Sequence, residues 1–146
     1  MTRLAEARPP GLTYRLILTA DVTTIRVARK LAEVALTNWN LCHLHLAVTT
    51  VVSELATNAS KEASGSEIEI ALFLRDGWLR LEVWDRLDVI PEVPAELDLD
   101  AEGGRGLWVA EHRADKFGID PHPDTGGKTV WTMWMCGGSE TTDVPA

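Results

Sequence analysis

Val51-Val52-Ser53-Glu54-Leu55-Ala56-Thr57-Asn58-Ala59 sets a carboxylate and a carboxamide four residues apart inside an apolar pattern. Around it Leu44, Val48, Val51, Val52, Leu55 and Ala59 recur at helical spacing. That periodicity predicts one long helix over about 43–63, stopped by Ser64-Gly65-Ser66. Four residues is little more than one turn, so Glu54 and Asn58 leave the helix on nearly the same side. At about 100° per residue, Asn58 falls between Val51 and Ala47, within the apolar sector, and Glu54 lies at its edge. Burying either group without a partner is costly. Two explanations are open: neighbouring backbone or water satisfies both groups, or this face turns toward a polar cleft. In a cleft, the amide oxygen of Asn58 would suit Mg²⁺ and the carboxylate of Glu54 could act as a general base.

After the helix, Ile68, Ile70, Leu72 and Leu74 alternate, as do Leu79, Leu81 and Val83. Arg75-Asp76-Gly77 between them carries the Asp-Gly hairpin signal. Before the helix, Leu12–Thr19 alternates as a half-buried strand, and Asp21 or Thr23 can cap a helix reaching about Thr37. From Asp85 to Glu102 the chain is acidic and aperiodic, with Pro91 and Pro94, as expected of a lid. Gly103-Gly104-Arg105-Gly106 then opens a short helix from Leu107 to about Arg113, and strands follow near Lys116–Ile119 and at Thr129–Met135. This order predicts an α+β two-layer sandwich, a mixed, mostly antiparallel sheet with helices on one face. A single domain over 12–136 is expected, with a flexible leader at 1–11 and a disordered tail at 137–146.

With 146 residues, the chain is long enough to bury a core as one domain. Its 14 basic and 22 acidic residues give a formal charge of −8, which argues against direct nucleic-acid or anionic-membrane binding. Cys42 and Cys136 form no metal or redox spacing, and His43 and His45, two apart, point to different faces of a helix. Met1–Pro10 lacks the apolar centre of a secretory signal, and no apolar run is long enough to span a membrane. A reduced, cytoplasmic protein is the expectation.

Two further features could carry chemistry. The glycines at 103–106, ahead of a helix, would let backbone N–H groups approach an anion closely, although Gly-Lys-Ser/Thr at P-loop spacing is missing. Asp85, at the end of an apolar strand, could simply be solvated, or could accept from an exocyclic amino group, as an adenine pocket requires.

In this order the features resemble a known family. Glu54-Leu-Ala-Thr-Asn58-Ala59 resembles the N-box of the GHKL superfamily of ATPases and kinases. Asp85 sits where the G1 box begins, Gly103–Leu107 looks like the G2 box, and Gly127-Lys128-Thr129-Val130-Trp131 is similar to the closing segment near adenine. The likeness spans about 12–135 and is greatest to small single-domain anti-sigma factors with serine protein kinase activity, of actinomycete type. It implies a Bergerat-type fold binding ATP and Mg²⁺. Asn58 would hold the metal, Glu54 would be the base, and Asp85 would read the adenine amino group. Gly104 and Gly106 would meet the phosphates, with Arg105 and Leu107 in the same cofactor-binding segment, and Thr129 would support the adenine end. The implied partners are a sigma factor, an anti-anti-sigma-like protein, or both, with homodimerisation an open option. Besides a first lid helix short of basic residues, the chain departs from the pattern in two places. Arg86-Leu87-Asp88-Val89 replaces the G1 glycines, and Glu62 stands where relatives commonly have histidine. Both departures favour a second reading, a non-catalytic interaction module with weak or no ATP turnover.

Overall fold

A computed structural model describes residues 12–98 and 104–136; the leader at 1–11, the tail at 137–146 and Gly103 lie outside the described residues. The chain begins with β1 (Leu12–Thr19) and α1 (Thr24–Asn38). A 3₁₀ turn at Cys42–Leu44 leads into α2 (His45–Glu62), two residues later than the apolar periodicity suggested. The hairpin of β2 (Glu67–Arg75) and β3 (Trp78–Asp85) follows, then α3 (Arg105–Arg113), β4 (Lys116–Pro121) and β5 (Lys128–Met135).

Local chemistry sets these boundaries. Asp21 folds the entry to α1: its Oδ1 accepts from the Thr23 amide at 2.8 Å and the Thr23 hydroxyl at 2.7 Å. Those bonds hold its carboxyl below the usual carboxylate range. Thr23 is the N-cap residue, yet its side chain makes no cap bond; Thr24 Oγ1 instead accepts from the Asp21 amide at 2.8 Å. Asp76 and Gly77, both at positive φ, form the two-residue hairpin that the Asp-Gly pair predicts.

The sheet runs in the order β1-β2-β3-β5-β4, and every pairing is antiparallel, so it is less mixed than expected. Ile68, Ile70, Leu72, Leu79, Leu81, Val83, Val130 and Trp134 line one face and share a core with α1 and α2. Ala28, Ala32 and Ala35 of α1 are fully buried there, and such small side chains let α1 lie close to α2. At about 25 cal/mol per Å² of apolar surface, this shared layer is the main stabilising term. It fixes α2, and with it Glu54 and Asn58, against the sheet.

Candidate functional site

Gly106 joins two of the predicted motifs. A Cβ at this position would lie 3.2 Å from Asn58 Oδ1 and 3.2 Å from Glu54 Oε1. The first turn of α3 therefore rests directly on the polar pair of α2, and a Cβ here would press on both side-chain ends. Glu54 and Asn58 are both part-exposed, so they line a polar edge instead of being sealed in the core. Arg105 Nη2 stands 4.0 Å from Glu54 Oε2, a solvent-screened contact of small energy. Gly104 caps α3 in the left-handed region at φ 86°, with no side-chain cap bond, and a Cβ there would be 3.1 Å from the Pro94 ring of the preceding loop. Leu107 differs from its neighbours. It is buried in the core, where it anchors α3 to the rest of the fold.

Asp85 and Thr129 depart from their expected arrangement. Along β3, Asp85 shares its parity with Leu79, Leu81 and Val83, so it faces the helical side. Its register partner is Lys128, which faces the same way. Lys128 Nζ donates to Asp85 Oδ1 at 2.9 Å, and both side chains are almost wholly buried. The Leu87 amide donates to the same oxygen at 2.9 Å, and Lys128 Nζ also reaches the Leu87 carbonyl at 3.4 Å.

Thr129 is one residue further along β5, and a one-residue step in a strand reverses the face. It pairs in register with Trp84, on the side that carries Arg80, Glu82 and Trp131, and its hydroxyl bonds His122 Nε2 at 2.7 Å. Thr129, expected to support the adenine end, thus lies on the opposite face of the sheet from Asp85. The residue of β5 that stands beside Asp85 is Lys128. Glu62, the last residue of α2, is exposed.

Residues 18–134 match the family described as the histidine kinase-like ATPase domain. The chain belongs to that family. Among solved structures, this histidine kinase-like ATPase domain is similar to the RsbU and RsbW domains of Rv1364c from Mycobacterium tuberculosis, with a TM-score of 0.63 and 23% identity over 88% of the chain. It spans 33% of that longer chain, and at this identity the likeness speaks to the fold. No curated protein matches it.

The donor set can be tested against the nucleotide and metal that the family name implies. At the Glu54–Asn58–Gly106 edge they fit: a hard amide oxygen and a carboxylate, both part-exposed, stand beside the glycine in the first turn of α3. At Asp85 one carboxylate oxygen, Oδ1, already accepts from the Lys128 ammonium and the Leu87 amide. Among the described residues no group of three or more His, Cys, Asp or Glu could hold a metal ion alone, so any Mg²⁺ would depend on phosphate oxygens as well. No helix among them is long and apolar enough to cross a membrane.

Proposed function

We propose that this domain is an ATP- and Mg²⁺-binding regulator that phosphorylates or sequesters a protein partner in transcriptional control. The observation that carries the reading is the direct approach of Gly106 to Glu54 and Asn58, which draws the N-box-like and G2-like segments into one polar edge. Asn58 would hold the metal through its amide oxygen, while Gly104, Arg105 and Gly106 would bring backbone donors and a cation to the phosphates. Bound there, ATP with its metal supplies a transferable phosphoryl group. Glu54, part-exposed at the same edge, would take the proton from a serine hydroxyl of the partner. The motif resemblance to anti-sigma kinases supports a sigma factor or an anti-anti-sigma-like protein as that partner.

The buried Asp85–Lys128 pair favours a second reading, an interaction module of the same fold with little or no turnover. Calorimetric titration with ATP and Mg²⁺ separates the two. Binding is expected for wild type, with a loss of at least about tenfold in Asn58→Ala. Glu54→Ala should keep nucleotide and lose phosphoryl transfer to a co-purified partner. A wild type that binds no ATP leaves only the interaction module, and unchanged transfer by Glu54→Ala removes it as the base.

A further inference from the structure

We propose that the outer edge of β1, with the apolar groove between it and α1, docks an extended segment of a protein partner rich in alternating apolar and acidic residues. β1 is an end strand of the sheet, and among the described residues no strand pairs with its outer side. It is eight residues long, pairs with β2 residue for residue without a bulge, and holds Arg15 as its only charge. Sheets ordinarily protect such an edge with a bulge, a proline or several charges. β1 has none of the three, so its outward N–H and C=O groups are set to take another strand.

On the helical side, a groove of about 600 Å³ lies between Leu16 of β1 and Arg26, Val27, Lys30, Leu31 and Val34 of α1. Val27 and Val34 are 37% and 40% exposed there. Half of the exposed large apolar residues among those described, Leu12, Ile17, Val22, Val27 and Val34, lie in β1, α1 or the turn between them. Side chains alternate along a strand, so one added to β1 would send every second residue toward this groove.

Charge decides which chain fits. Arg26 and Lys30 stand on the groove wall, and Arg15 lies on the opposite face of β1 from Leu16. Lys30 is also 3.4 Å from Glu33, an exposed and well-screened pair. Residues 12–38 carry four basic and two acidic residues, in a chain whose formal charge is −8. A second copy, paired across a two-fold axis, would set each groove's cations against its mate's. An acidic segment of another protein meets them favourably. The groove belongs to β1 and α1, whereas the Glu54–Asn58–Gly106 edge belongs to α2 and α3. The proposal shares with the function above the premise of a protein partner, and a chain that binds no ATP leaves it standing.

The test uses the full chain and two labelled peptides as long as β1, one alternating valine with glutamate and the other valine with lysine. Fluorescence anisotropy at low ionic strength should show the glutamate peptide bound about tenfold or more tighter than the lysine one. Arg26→Glu/Lys30→Glu, at two exposed positions, should abolish or invert that preference while melting close to wild type. Amide hydrogen exchange reads the geometry: the glutamate peptide should slow the outward-facing amides of β1. No binding of the glutamate peptide at about 1 mM, or equal binding of both peptides, overturns the proposal. A folded double variant that keeps the wild-type preference overturns it too, as does exchange slowed elsewhere with β1 unaffected. Without peptide, β1 protection that grows with protein concentration assigns the edge to a second copy. Protection already complete in the dilute chain assigns it to residues 1–11. Either of these results overturns the proposal as well.

Discussion

At Gly106 a single hydrogen atom stands where a methyl group would touch both Glu54 and Asn58. As the second residue of α3 it would gain helix propensity from alanine, about 1 kcal/mol. The new Cβ would instead press on Asn58 and Glu54 at 3.2 Å, and both neighbours are side-chain ends able to turn aside. Gly106→Ala should therefore move the melting temperature by only about a few degrees. It should weaken ATP binding by about tenfold or more, because the displaced side chains are those assigned to the metal and the base. Calorimetry beside a melting curve checks both, and an unchanged affinity would take Gly106 out of the phosphate edge. The pairing of Glu54 with Asn58 was legible from helical spacing alone. Lys128 was not. Its strand carries Val130 and Trp134 on one face and Trp131 and Met133 on the other, so apolar alternation could not say which face turns inward.

Among the elements, the β4–β5 pair depends on one close packing contact. Gly118 lies opposite Trp131 in register, and a Cβ on it would fall 2.3 Å from the indole ring. On the same ring sits the guanidinium of Arg80, 4.5 Å from the centroid, which itself bonds Glu82 Oε2 at 2.6 Å. Trp131 therefore meets β4 at Gly118 and β3 at Arg80. Gly118→Ala should push the ring off this seat and destabilise the fold by about 1–3 kcal/mol. A urea midpoint identical to wild type would show that the ring has another place to go. Sequence reading located the strands here but ended β4 early, at Ile119, and started β5 at Thr129. Asp120, Pro121 and Lys128 are poor strand formers by propensity. They extend the ladder because Pro121 pairs with Lys128, and Lys128 is held on β3 by Asp85. The helices and the Asp76-Gly77 hairpin were readable because their signals are local, whereas the length of β4 depends on a partner strand.

For the molecule as a whole, the sheet order separates neighbours in space from neighbours in sequence. Thr19 pairs with Glu67 across both long helices, and Asp85 pairs with Lys128 across α3 and β4. Only β2 and β3 meet through a two-residue turn. Closing the long connections costs entropy before their contacts form, so the hairpin is the natural place for pairing to start. Gly77 has φ 81° and no atom within 4 Å of a would-be Cβ, which makes Gly77→Ala a purely conformational change of about 1 kcal/mol. Stopped-flow measurements should show refolding slowed about fivefold, with unfolding nearly unchanged. Faster unfolding with normal refolding would mean that pairing begins elsewhere. A turn remote from the polar edge would thus set how long a newly made chain exposes unpaired strands to aggregation.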